Sequence, residues 1–256
     1  NARSIKNKLA DLYEIIYTDN YDCIFITESW LNDTIPNSLL DPENRFHVIR
    51  DDRVERQGGG VCVLIAKTYS TVEIQLDKQD LLSNVVAVDL VLNGNKIRLI
   101  TVYRPTCWNS EGLTDAIRLC KLLDDLTDHQ PEPVFIIGDF NCKNIDWNFT
   151  IQPPNALETR ISNFFRDRGF HQLVPSTTRA ESLLDIVCTN EPLTVFRINT
   201  KPPINSSDHD CVYFELSIPA GEPHDQCQKT DEKHYNWRQA DYASMSTYLS
   251  KVKWYE

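Results

Sequence analysis

Ser207-Asp208-His209 sets a hydroxyl, a carboxylate and an imidazole side by side, just before the apolar run 211–218. A histidine beside carboxylates is pushed towards its cationic form, which suits it to stabilise a phosphorane or protonate a leaving oxygen. In extended backbone Asp208 and His209 would point to opposite faces, so sharing one site requires a non-extended local chain. Standing alone, the tripeptide fits a surface loop equally well. Gly138-Asp139-Phe140-Asn141 follows the buried run 134–137. Glycine lets the chain turn sharply, and Asp139 and Asn141, two apart, then project to the same side. A carboxylate and an amide so placed can hold a water and a phosphate oxygen, although an Asp/Asn turn has the same composition. Asp185 lies within the apolar stretch Leu184-Asp185-Ile186-Val187, where burial without a partner would be costly. A histidine is the natural partner, with a cross-strand Arg or Lys as the alternative.

The surrounding chain must bring these groups together. Residues 4–20 carry Ile5, Leu9, Leu12, Ile15 and Ile16 at helical spacing, with Ser4 as N-cap. Residues 22–27 form a short apolar run that delivers Glu28 and Trp30 at its end, and 46–50 form a weaker one. Gly58-Gly59-Gly60 precedes the strand 61–66, and Asn93-Gly94 joins the runs 85–92 and 97–103 as a hairpin. Helical patterns cover 113–126 and 156–168, the latter closed by Gly169; strands are expected at 134–137, 183–188 and 211–218. This order fits two sheets packed face to face with helices outside better than a doubly wound parallel sheet. Glu28, Asp139, Asp185 and Asp208 then sit at or beside strand ends, which converge at one rim. Clustered carboxylates repel one another, and a hard divalent cation is the usual relief.

The chain has 256 residues, 41% of them apolar, enough for one large domain with a full core or two small ones. It has no internal repeat and no apolar run near the ~20 residues that cross a bilayer, so no membrane partner is expected. It does not begin with Met and reads as a piece of something longer. None of its eight cysteines stands in a C-x-x-C pair, which argues against structural zinc. Cys23, Cys62, Cys188 and Cys211 lie in or beside apolar runs, which favours reduced thiols in an intracellular compartment over a disulfide framework. A net charge of −11 disfavours broad phosphate contact. It is compatible either with a small-molecule or protein partner, or with carboxylates gathered on metal ions inside a local basic rim. Composition changes near Pro219, where a polar stretch and then a Trp- and Tyr-containing helical tail begin, so the boundary is placed there.

Taken in order, Asn1, Thr27-Glu28-Ser29-Trp30, Gly58-Gly59-Gly60-Val61, Tyr103-Arg104-Pro105, Gly138-Asp139-Phe140-Asn141, Leu184-Asp185-Ile186-Val187-Cys188-Thr189-Asn190 and Ser207-Asp208-His209 resemble the endonuclease/exonuclease/phosphatase family. Within it, Asn1-Ala2-Arg3-Ser4, Trp30-Leu31 and Tyr103-Arg104-Pro105 look most like the apurinic-type endonuclease domains of non-LTR (LINE-like) retrotransposons near the Jockey-like lineages. The resemblance covers 1–218 and implies a four-layer α/β sandwich, DNase I-like, with its active site at one rim of two packed mixed sheets. The family pattern has a β-strand immediately upstream of the residue matched by Asn1.

The resemblance also implies roles. Glu28 is the principal metal ligand, with Asn1 and Asp208 in the metal and water shell. Asp139 orients or deprotonates the attacking water, and Asn141 holds that water and the phosphate. His209, held by Asp185, contacts the scissile phosphate, as does Tyr103. Thr178 matches a DNA-contacting position, and Arg104 and Ser207 are carried as substrate-binding neighbours. The implied cofactor is Mg2+, with Mn2+ as substitute. The implied reaction nicks double-stranded DNA and leaves a 3′-hydroxyl that primes reverse transcription in the nucleus. Residues 219–256 resemble the connector to a downstream reverse transcriptase. An abasic-site nuclease or phosphatase of the same family, and a catalytically inactive binding domain, are the competing readings.

Overall fold

The computed structural model describes residues 1–53, 58–92, 94–128, 133–217 and 242–250. The chain divides into two compact units, Asn1–Ala220 and Gly221–Glu256. In the second unit the described element is one helix, α4 (Tyr242–Leu249).

The described strands of the first unit form three sheets arranged in two facing layers. A six-stranded sheet runs in the order β4 (Ser70–Glu73), β5 (Asn84–Leu92), β6 (Asn95–Tyr103), β7 (Val134–Asp139), β9 (Asp185–Thr189) and β8 (His171–Gln172). Its pairs are antiparallel except for β6 with β7. That parallel pair requires a crossover, supplied by α2 (Ser110–Thr127). Opposite lie the antiparallel sheet β1 (Cys23–Thr27), β3 (Val61–Ala66), β2 (Phe46–Asp51) and the hairpin of β10 (Val195–Lys201) and β11 (Cys211–Leu216).

Alternation along each strand sorts its side chains into separate layers. Val61, Val63 and Ile65 of β3 face Val86, Val88 and Leu90 of β5 and Leu99 of β6 across the inter-sheet core. The intervening residues Cys62 and Leu64 face Leu12 and Ile16 of α1 (Leu9–Thr18). Val85, Ala87, Ile100 and Val102 face α2 and α3 (Ala156–Asp167). The result is a four-layer α/β sandwich, helix–sheet–sheet–helix. The cysteines among the described residues carry free thiols, and none of the described helices is long and apolar enough to cross a membrane.

Most elements lie where the hydrophobic pattern puts them, and the departures have physical causes. The first helix starts at Leu9, and Ser4 is not its N-cap. Ala2, Ser4 and Ile5 instead donate their backbone N–H groups to Thr27, Glu28 and Ser29, which holds residues 1–5 against the end of β1. Ser4 accordingly takes φ +79. The strands β4, β8 and β10 lack a continuous apolar run; β4 and β10 are largely exposed edge strands, so nothing in their composition announces pairing. The two later helices open on side-chain caps, Asn109 accepting from Gly112 N at 3.1 Å and Asn155 from Glu158 N at 2.9 Å.

Candidate active site

Strand register creates a row of functional groups across the six-stranded sheet. Tyr103 at the end of β6 stands opposite Asp139 at the end of β7, and Asp139 opposite Asp185 at the start of β9. Residues directly opposite one another share a face, so the phenol and the two carboxylates lie side by side at one rim. This close approach depends on Gly138 (φ +140), where an added Cβ would fall 1.9 Å from the Val102 carbonyl oxygen. Asn141 follows at φ +49, and its backbone N–H donates to Asp139 Oδ1 at 2.9 Å.

The other sheet supplies Glu28, which leaves β1 at φ +48. The glycine triplet shapes this corner. Ser29 and Trp30 donate their backbone N–H groups to the carbonyls of Gly60 and Gly59, and a Cβ on Gly60 would meet Ser29 Oγ at 2.6 Å. Glu28 Oε1 accepts from Tyr103 OH at 3.2 Å and from Asn1 Nδ2 at 3.0 Å, while Oε2 accepts from Trp30 Nε1 at 3.2 Å. The same Asn1 amide donates to Asp139 Oδ2 at 2.7 Å, so one nitrogen bridges carboxylates from both sheets.

His209 is buried, 2% exposed, with Nδ1 2.6 Å from Asp185 Oδ2. The histidine partner expected for the apolar-strand aspartate is therefore present, brought from 24 residues away in sequence. The backbone nitrogen of Asn1 lies 3.4 Å from Asp185 Oδ1. Burial pushes the Asp139 carboxyl up, Asp185 adds repulsion, and His209 and Asn1 only partly offset this, leaving it at about 7. Burial also acts against ionised Asp185. The Asn1 amino group and His209 outweigh it and hold Asp185 below the usual carboxylate range. The Tyr103 phenol is pushed up, first by burial and then by Glu28 and Asp139. Two adjacent carboxylates thus differ in proton affinity, the arrangement that separates a base from an orienting group.

Four assignments change in three dimensions. Thr178 is 1% exposed and accepts from the backbone N–H groups of Leu184 and Asp185 at 3.1 and 3.0 Å. It positions the start of β9 and is not accessible to DNA. Arg104 is fully buried; Nε donates to the Phe140 carbonyl at 2.6 Å and Nη2 to that of Asn141 at 3.0 Å, while Asn141 Nδ2 donates back to the Arg104 carbonyl at 2.9 Å. It fixes the loop after β7 and is not a substrate ligand. Ser207 Oγ donates to the Asn1 carbonyl at 2.8 Å and accepts from His209 N at 3.2 Å, so it too is structural. Asp208 turns away from the buried cluster to pair with Arg179 at 2.7 Å and Arg3 at 3.4 Å. Burial opposes its charge, but Arg179 and then Arg3 hold its carboxyl below the usual range. Sequence reasoning gave no role to Arg3, Arg179 or the Trp30 indole. Trp30 stood inside a recognised motif, whereas nothing in sequence separates Arg179 from any exposed arginine.

The donor set fits a hard divalent cation. Glu28 and Asp139 both direct carboxylate oxygens at the same Asn1 nitrogen, and ligand atoms of Asp139, Asp185 and His209 all lie within 4.8 Å of one another. A cleft of about 310 Å³ adjoins this cluster, lined by Thr106, Trp108, Asn141, Lys143, Arg179 and Leu184 among others.

Among curated protein sequences none matches significantly. Solved structures similar in fold include a 3′ phosphatase, NExo, from Neisseria bound to a product DNA hairpin (13% identity, 85% of this chain and 97% of that one, TM-score 0.67). An AP endonuclease from Archaeoglobus fulgidus is also similar (15% identity, 85% and 97%, TM-score 0.65). So is the endonuclease domain of TRAS1, a telomere-specific non-LTR retrotransposon (14% identity, 82% and 92%, TM-score 0.63). The sequence model of the endonuclease/exonuclease/phosphatase family matches residues 1–209, more than three quarters of the chain, and it is to this family of hydrolases that the chain belongs.

Proposed function

We propose that this chain is a Mg2+-dependent DNA endonuclease that nicks target DNA for a non-LTR retrotransposon, acting in the nucleus beside a reverse transcriptase to which residues 219–256 connect. The observation that carries the reading is the rim itself, where Asp139 stands beside the His209–Asp185 pair and is joined to the second-sheet glutamate, Glu28, through the Asn1 amide. The fold likeness to the TRAS1 endonuclease domain and to an AP endonuclease supports the choice of DNA.

Glu28, with the Asn1 amide beside it, would hold the divalent cation, which neutralises phosphate charge when bound. Asp139 takes the proton of the attacking water. Its nearly neutral pKa matches that task, because a general base works best near the operating pH. The Asn141 amide, locked to the Arg104 carbonyl, lines the cleft where the water and a phosphate oxygen would lie. Asp185 occupies His209 Nδ1, so Nε2 is the ring atom left for a phosphoryl oxygen, where it stabilises the developing charge. The water oxygen bonds to phosphorus as the P–O3′ bond breaks, and the departing O3′ takes a proton from solvent, giving a 3′-hydroxyl and a 5′-phosphate.

The test is nicking of supercoiled plasmid by the protein with Mg2+, with EDTA, and with His209→Ala. Nicks should form only with metal and should prime a DNA polymerase directly, and the substitution should slow nicking by about 10²–10³-fold. Plasmid left intact while inositol phosphates are hydrolysed would overturn the nuclease reading in favour of a phosphatase. Loss of neither substrate would leave a binding domain.

A further inference from the structure

Trp108 lies outside the cluster described above and is used by none of its steps. It follows β6 in the loop ahead of α2, lines the same cleft as Asn141, and is 48% exposed. One face is already taken: the guanidinium carbon of buried Arg104 stands 5.2 Å from the ring centroid. Arg104 also grips the Phe140 and Asn141 carbonyls, so the indole is coupled to the loop that carries Asn141. The opposite face remains open. Lys143, exposed, places positive charge in the same cleft on a chain whose net charge is −11, and Arg179 lines it too, ion-paired to Asp208 at 2.7 Å. An exposed aromatic ring beside a cation is a combination that binds a nucleotide, the ring stacking its base and the cation meeting a phosphate.

We infer that Trp108 is a base-stacking residue that receives one nucleobase next to the candidate active site, with Lys143 meeting a flanking phosphate. The inference rests on the nuclease reading for its register along the strand. The cleft that Trp108 lines, about 310 Å³, falls in the range of ligand sites and shares Asn141 with the candidate active site.

The experiment is a cycle between protein and DNA. Fluorescent oligonucleotides carry either a normal nucleotide or a tetrahydrofuran abasic spacer at each position flanking the cut. Wild type, Trp108→Ala and Trp108→Phe are compared for cleavage with Mg2+ and for equilibrium binding with EDTA, each variant being checked for an unchanged melting profile. At one flanking position the spacer should weaken wild-type binding by about 5- to 100-fold, the range for loss of one stacked base. Trp108→Ala should show that loss already and none further with the spacer, in KM more than in kcat, while Trp108→Phe should keep most of the discrimination. Equal losses on both oligonucleotides, or a wild type indifferent to the spacer at every position, would overturn the inference while leaving the nuclease reading standing. Base-dependent binding through Trp108 without cleavage would uphold it and overturn the nuclease reading instead.

Discussion

Asp139 holds its proton too tightly for a surface aspartate, and that has a measurable consequence. Its carboxyl titrates at about 7 in the folded chain against 3.8 as the ordinary value. Between those values the folded state carries more protons than the unfolded one, so this residue makes stability fall as pH rises from about 4 to 7. Asp185 has the opposite sign: its folded pKa is below 3.8, so its contribution is present above that value and lost as pH falls through the folded one. Asp139→Asn should therefore gain melting temperature relative to wild type as pH is raised from 4 to 8, while activity falls by about 10²–10⁴-fold. Melting curves across that range decide it, and a pH-independent difference between the two proteins would refute the assignment of a raised pKa. The residue scale also explains why Asp208 and His209, adjacent in sequence, part company. His209 goes inward to a buried carboxylate, and Asp208 is claimed by two partly exposed arginines.

At the scale of elements, the site is a junction of strand ends whose spacing one glycine controls. Gly138 lies where β6 and β7 run parallel, and its Cβ position is filled by the Val102 carbonyl at 1.9 Å. Gly138→Ala must push these strands apart or distort φ, and should cost about 3 kcal/mol or more, displacing Asp139 with it. Gly94, in the turn between β5 and β6, is the control. It has φ +84 but nothing within 4 Å of its Cβ position, so Gly94→Ala should cost only the left-handed penalty of about 1–2 kcal/mol and leave activity intact. Denaturant midpoints together with nicking rates for the two variants test this, and similar losses in both would show that crowding at Gly138 is not the cause. The apolar runs made most strands and all three helices of the first unit legible in sequence, because burial requires those runs. The edge strands β4 and β10 were not legible, since exposed pairing leaves no apolar signature.

For the molecule as a whole, carboxylates from two sheets meet at one rim although the chain carries a net −11. A cation bound there should stabilise the entire unit by linkage, by about 2.7 kcal/mol at a hundredfold excess over Kd, or roughly 5–10 °C in melting temperature. The shift should be smaller at pH 6 than at pH 8, because the Asp139 proton competes with the ion, and it should vanish with EDTA or in Glu28→Gln. A melting temperature indifferent to Mg2+ and Mn2+ at pH 8 would sink the proposed metal site.

Residue type and order alone singled out the candidate groups and the family pattern they resemble, while each motif taken alone fitted a turn, a surface loop or a structural ion pair as well. They also determined the layers, through the alternation of each strand. Tertiary structure alone decided which of those groups share the site. Strand register aligns Tyr103, Asp139 and Asp185, and left-handed corners at Glu28 and Asn141 aim the remaining groups. Thr178, Arg104 and Ser207 are turned inward to satisfy backbone groups that burial would otherwise leave unpaired. No local sequence encodes that demand, because the unpaired groups belong to distant segments.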